Sequence, residues 1–313
     1  MAKEVMGLSE IISSSFKEYR EGWKTFLGIL VLLSFIPAII FFIVEMFWLK
    51  VLYGSTLSGD PTKIVSGFFS VQFLLLVLVG IVMVIIAIWM QASIIYNVIF
   101  KKKSMGFRES IAGGSKYFWK FLGLMLLIGL IFVLPIIILI MFIGLATYFG
   151  TISNMGLTIL FALLAIIGFI AYFIFVLFFG IRWLFSIYIL IGENKGVTDS
   201  LRTSSGLVKG RWWKTFGYLL LFLLIIWGIS IVFSIPAMII NWIITFSTLG
   251  AAGLAAASST SGNLSSLSSS FTNITIITMG ISLIFSMLSQ IIIVPLGALF
   301  VKNFYLSWKS SNK

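Results

Sequence analysis

Cysteine and histidine are both absent from these 313 residues, and only 10% of the side chains are charged. Without cysteine there is no disulfide and no thiol nucleophile, and the redox compartment leaves no trace in the chain. Without either residue, a Cys/His zinc site and a haem held by those ligands are excluded as well. The scarcity of charge says more. Soluble domains are about half apolar and about a quarter charged, whereas this chain is 60% hydrophobic and carries only 9 acidic residues against 21 basic ones. That balance identifies an integral membrane protein.

Four uncharged stretches, 25–44, 64–100, 121–181 and 215–301, dominate the chain. A helix needs about 20 apolar residues to cross roughly 30 Å of hydrocarbon, so the first two hold one span each. Gly, Thr, Ser and Asn divide the third near 147–156, and a Ser-, Gly- and Ala-rich segment at 247–272 divides the fourth. The expectation is six spans at about 25–48, 70–99, 121–146, 157–190, 215–246 and 274–301. The fourth reaches about 50 Å at the ideal helical rise, so it must tilt, kink or project beyond the membrane.

Basic residues set the orientation. Between the spans, 19 of the 21 Lys and Arg fall on one side, and only Lys50 and Lys63 on the other. Positive-inside bias then places the protein in the cell membrane with both termini cytoplasmic. The +12 charge follows from that topology and favours anionic lipid headgroups as partners. Dispersed over helix ends, it gives no nucleic-acid surface. The mixed charges before Lys24 do not make a cleavable signal, so the first span is expected to serve for insertion.

One pattern occurs three times. Trp23-Lys24-Thr25-Phe26, Trp119-Lys120-Phe121 and Trp213-Lys214-Thr215-Phe216 each open a long apolar run later interrupted by Pro37, Pro135 or Pro236. Upstream of each lies glycine, apolar, polar, acid, any residue, apolar: Gly7 to Ile12, Gly106 to Ile111 and Gly196 to Leu201. Repetition of this kind means one structural unit used three times, here about 7–100, 106–191 and 196–306. Each unit is expected to be a cytoplasmic interfacial amphipathic helix followed by a transmembrane hairpin. The first of these helices carries Leu8, Ile11, Ile12, Ser15, Phe16 and Tyr19 on one face. Gly113-Gly114 makes the second the least regular. The Trp-Lys pairs (Trp23 with Lys24, Trp119 with Lys120, Trp213 with Lys214) then mark the junction between interfacial helix and span, indole at the interface and amine in water. Units of equal orientation imply a threefold pseudo-axis along the membrane normal.

Polar residues inside the spans are few. Gln91, Arg182 and Gln290 lie 10, 11 and 12 residues before Lys101, Glu193 and Lys302, at one common depth roughly 15 Å from the basic end. They are expected to face one another as an intramembrane polar site, or else to join neighbouring helices. Glu45 is the one acid within a span and falls near the outer interface, where Lys50 is a candidate partner. Asn263 and Asn273 head the two Asn-x-Ser/Thr triplets of the chain, both on the outer side. The acids Glu109, Glu193 and Asp199 stand at the inner surface with no base or nucleophile pattern, so no catalytic, metal or cofactor site is expected.

Arg182-Trp183-Leu184-Phe185, Ile189 to Asn194, Asp199 to Ser204 and Lys209 to Phe216, with Pro295 to Phe300 and Phe304-Tyr305, resemble the membrane domain joined to some bacterial glycerophosphodiester phosphodiesterases. Stand-alone prokaryotic proteins that lack the catalytic domain share the pattern. The resemblance implies a six-helix membrane domain and no more. The enzymes' catalytic domain uses histidines and metal-binding carboxylates, and this chain has no histidine. The functional expectation is therefore a non-enzymatic membrane protein that interacts with lipid or organises a membrane or cytoplasmic protein partner. The alternative is a transporter or channel for a lipid or other amphiphilic or anionic solute.

Overall fold

A computed structural model describes residues 6–56, 61–100, 105–258 and 264–310. Among them the chain is entirely helical: α1 (Leu8–Leu30), a π-helical stretch (Val31–Phe35), α2 (Ile36–Thr56), α3 (Pro61–Phe68), α4 (Val71–Phe100), α5 (Phe107–Thr151), α6 (Met155–Arg182), α7 (Ser186–Gly192), α8 (Val197–Val208), α9 (Trp212–Ser258) and α10 (Leu264–Ser310). Six helical segments are long and apolar enough to cross a membrane: Leu8–Tyr53, Val65–Phe100, Phe107–Thr151, Met155–Gly192, Trp212–Thr248 and Thr272–Ser310. These contain the six expected spans.

The helix starts share one design. Gly7, Gly106 and Gly196 are the N-caps of α1, α5 and α8, all with extended backbone at ψ 158°, 171° and 167°. An acid follows in each first turn (Glu10, Glu109, Asp199), where negative charge meets the positive end of the helix dipole. At the first start the Gly7 amide donates to Glu10 Oε2 at 3.2 Å.

The expected junctions are absent at two of the three Trp-Lys pairs. Trp23 lies within α1 and Trp119 within α5, so the amphipathic segment and the span are one helix. Ending a helix leaves backbone groups unpaired, and continuing it through Gly22-Trp23 and through Trp119 keeps them bonded within the helix. Near the third pair the chain does break: Gly210, at φ +77°, turns it between α8 and α9, and Trp213 is the second residue of α9. Gly113-Gly114, read as irregular, is helical for a packing reason. A Cβ on Gly114 would stand 2.5 Å from Ser93 Cα, and one on Gly113 2.0 Å from the Tyr96 ring. The glycines let α5 cross α4 almost backbone to backbone.

Two interruptions fall inside the spans. The π-helical stretch ends just before Pro37, whose ring conflicts with the carbonyl of Leu33 and whose missing N–H breaks the ladder. The fourth span, anticipated as too long for a straight crossing, breaks at Trp183–Phe185. Ser204 of α8 satisfies that break: its hydroxyl donates to the Arg182 carbonyl at 2.7 Å and accepts from the Phe185 amide at 3.2 Å. The outer loop expected at 247–272 is shorter than read. α9 continues to Ser258 and α10 begins at Leu264, because the alanines after Thr248 favour helix. Asn263 lies outside the described residues, and Asn273 is exposed on α10.

The core collects at the basic end. Ile11 of α1, Ala92 of α4, Phe121 of α5, Phe185, Leu201 of α8, Phe222 of α9 and Phe300, Phe304 and Trp308 of α10 belong to one buried cluster. A second joins Phe26, Leu30, Ile94 and Leu299. By contrast, no residue of 125–151 or 155–180 is buried, so α5 and α6 present apolar surface suited to lipid.

Candidate functional site

At the basic end, each of the three glycine-capped starts packs on the long helix that precedes it, the first start packing on the last helix. Asn303 of α10 donates to Ser14 and Ser15 of α1 at 3.0 and 3.1 Å. Asn97 of α4 donates to Ser110 of α5 at 2.8 Å, and Ser204 of α8 holds the α6–α7 break. Lys302 binds both Glu18 oxygens, at 2.7 and 2.5 Å.

Glu193, one residue beyond the fourth span, gathers Lys309 at 2.8 Å, Lys195 at 2.9 Å and the Tyr305 hydroxyl at 2.5 Å. Burial pushes its carboxyl upward, but the hydrogen bonds from Lys309, Tyr305 and Lys195 outweigh it and hold the group down at about 2. A carboxylate lowered on folding stabilises the fold above its ordinary value of 4.5 and loses that contribution as pH falls toward 2. Thermal melting of wild type beside Glu193→Gln should therefore show a constant gap from pH 7 to about 5. The gap should close progressively below that.

The tryptophans of the Trp-Lys pairs point outward: Trp119 is 76% exposed, Trp213 77% and Trp23 44%. Lys24 lies 5.9 Å from the Trp23 ring, Lys120 donates to Asn194 Oδ1 at 2.8 Å, and Lys214 stands 5.7 Å from the Trp308 ring.

Of the three polar residues read inside the spans, two have partners, and they are different ones. Gln290 accepts from the Ser34 hydroxyl at 2.9 Å and donates to Ser286 at 3.3 Å. The Arg182 guanidinium lies 5.2 Å from the Phe178 ring. Among the described residues no hydrogen bond joins any two of Gln91, Arg182 and Gln290. Glu45 does not pair with Lys50 either: five residues apart on a helix places them about 140° apart in rotation, off the shared face that three or four residues give.

Glu45 faces a groove instead. Between α9 and α10 a cavity of about 520 Å³ is lined by Ser230, Ser234, Asn241, Ser282, Ser286 and Ser289 among apolar side chains. Beside it, a cavity of about 490 Å³ brings Glu45 of α2 to Asn241, Thr278, Ser282 and Ser286. The two share Asn241, Ser282 and Ser286 and form one polar groove. Asn241 donates to the Ser282 hydroxyl at 3.0 Å, while its Oδ1 is buried without a partner. The wall is open to the side, since Trp242 is 61% and Met238 53% exposed. Gln290 adjoins the groove through Ser286. The sequence does carry a signal for it: Thr278, Ser282, Ser286 and Ser289 recur at spacings of four, four and three on one helix, the repeat of a single face.

Comparison with curated proteins and with solved structures gives no match. Residues 105–307, from the residues just before α5 to near the end of α10, match the family described as Domain of unknown function (DUF7847). That is well over half of the chain, and it includes both serine-bearing walls of the groove. The chain belongs to this family.

Proposed function

We propose that this chain is a non-enzymatic protein of the cell membrane, both termini cytoplasmic, that holds a lipid or other amphiphile in the groove of α2, α9 and α10. The observation that carries the reading is the placement of Glu45, Asn241 and the serine face inside apolar spans, beside an opening toward lipid. Polar groups at such depth are costly and are kept where they meet a ligand or each other. The unpartnered Asn241 oxygen is a vacant acceptor for a ligand. Two of the acids near the basic end are engaged, Glu18 with Lys302 and Glu193 with Lys309, which favours a binding role over acid–base chemistry.

In this reading the chain is three copies of one unit around a pseudo-axis, each an amphipathic start and a helical hairpin. The shared glycine caps and the packing of each start on the preceding helix support it. The likeness of 182–221 to the phosphodiesterase membrane domain enters as a likeness of membrane architecture alone. Transfer of an amphiphile across the membrane is the second reading, favoured by the depth of the groove. Thr278 to Ser289 covers roughly 16 Å of helix, about half of the hydrocarbon thickness, which suits a bound molecule better than a continuous path.

Photo-crosslinking tests the proposal. A long-chain amphiphile with a diazirine near its polar end, added to the purified protein, should label α9 and α10 around Trp242 and Ser286. Labelling spread evenly over the exposed faces of α5 and α6 would overturn it.

A further inference from the structure

The ligand's chemistry is legible in how the groove has spent its protons, and the argument rests on the amphiphile reading above. Five hydroxyls that line the groove donate to carbonyls of their own helices: Ser230 to Ile226 at 2.9 Å, Ser234 to Ile231 at 3.2 Å, Thr278 to Ile274 at 2.9 Å, Ser282 to Thr278 at 2.8 Å and Ser289 to Ser286 at 2.8 Å. The side-chain amide of Asn241 donates to Ser282, and that of Gln290 to Ser286. What remains is chiefly acceptor capacity: hydroxyl lone pairs, the buried Asn241 Oδ1 and the carboxylate of Glu45, which has no hydrogen bond or ion pair among the described residues, against the Ser286 hydroxyl proton and one N–H each of Asn241 and Gln290. Around these acceptors stand Phe41, Phe42, Phe285 and Trp242.

We propose that the groove binds an ammonium group, carried by an amphiphile whose chain lies along the open side between α9 and α10. An ammonium brings several donors and no acceptor, the complement of an acceptor-rich wall. Its charge offsets a carboxylate that the low-dielectric surroundings otherwise penalise, and aromatic faces attract it further. An anionic headgroup is disfavoured, because it would meet Glu45 as a like charge with few free donors. A divalent metal ion is a poor fit too, since calcium is held by several carboxylates and carbonyls and magnesium by near-ideal octahedral oxygen shells. The ammonium has two sources, the ethanolamine headgroup of a phospholipid or a free amine with its own apolar tail.

Native mass spectrometry of the whole chain in detergent separates the outcomes. The probes are dodecylamine, dodecanol and dodecanoate at equal concentration, then phosphatidylethanolamine against phosphatidylglycerol of the same acyl chains. Wild type should retain dodecylamine at least tenfold more strongly than either other twelve-carbon probe. Glu45→Gln should erase that preference, Glu45→Asp should keep part of it, and Glu10→Gln, far from the groove, should keep all of it. Selective retention of phosphatidylethanolamine as well assigns the group to a lipid headgroup, and retention of the amine alone to a solute.

Equal retention of all three probes by wild type would overturn the ammonium assignment while leaving an amphiphile groove in place. Retention of none would overturn both. A full preference surviving in Glu45→Gln would overturn the role of the carboxylate, and with it the proposal. Should Glu45→Gln fail to fold, the wild-type ranking of the probes still decides.

Discussion

Gly114→Ala should unfold this protein more readily than any other single methyl group added to α5. The new Cβ would stand 2.5 Å from the Cα of Ser93 and 2.6 Å from its backbone nitrogen, so only a shift of α4 against α5 relieves the contact. Overpacking of this kind costs about 1–3 kcal/mol and more where backbone must move. Against it stands the better helix propensity of alanine, about 1 kcal/mol. The net loss should be up to about 2 kcal/mol, read as a fall in Tm of up to roughly 5 °C in detergent. Gly113→Ala brings its Cβ still closer, to 2.0 Å, but against the ring of Tyr96. A ring can turn where a backbone cannot, so the smaller effect is expected at the shorter distance. Gly129→Ala, in open space on the same helix, should be neutral or slightly stabilising. A ranking with Gly129 worst would refute the backbone-crossing account.

Lys302→Met should give the second large loss. The Lys302 ammonium is nearly buried and holds both oxygens of Glu18, tying α10 to α1. Removing one member of a buried pair costs about 3–5 kcal/mol. Glu18 retains about a quarter of its side-chain exposure, so water offsets part of that and about 2 kcal/mol is the expected figure. Glu18→Gln should cost less, because a neutral amide tolerates the site. The double variant Glu18→Gln/Lys302→Met should recover part of the Lys302→Met loss. Strict additivity in the cycle would mean the two side chains do not interact. Raising salt should change wild-type melting little, since buried pairs are poorly screened.

The six spans were legible because hydropathy is a local property: an uncharged run such as 121–181 declares itself wherever it folds. The length of the fourth span called for a tilt, a kink or a projection, and the structure has a break at Trp183–Phe185. What failed were inferences about which faces meet. Placing Gln91, Arg182 and Gln290 at one depth says nothing of their rotation about each helix: Gln290 meets Ser34 and Ser286, and Arg182 the Phe178 ring. Glu45 was weighed against a neighbour in sequence, whereas its surroundings come from α9 and α10, some two hundred residues later. The spacing of the serines on α10 is visible in the sequence, but the wall that it meets on α9 and α2 is not. Likewise the glycine pair at 113–114 looked like a weak point in a helix. Only the presence of Ser93 and Tyr96 across the contact makes it a requirement.

The packing of the first segment on the last has a consequence for biosynthesis. Ser15 and its donor Asn303 are 288 residues apart, and the Met6 amide meets Ser307 across 301. At about 5–20 residues per second, the leading helix emerges roughly a quarter of a minute to a minute before its partner. For that interval Ser14, Ser15 and Glu18 must remain wetted at the membrane surface. Closure of the assembly therefore waits for α10, and until that helix arrives every shorter nascent chain keeps an open seam at α1.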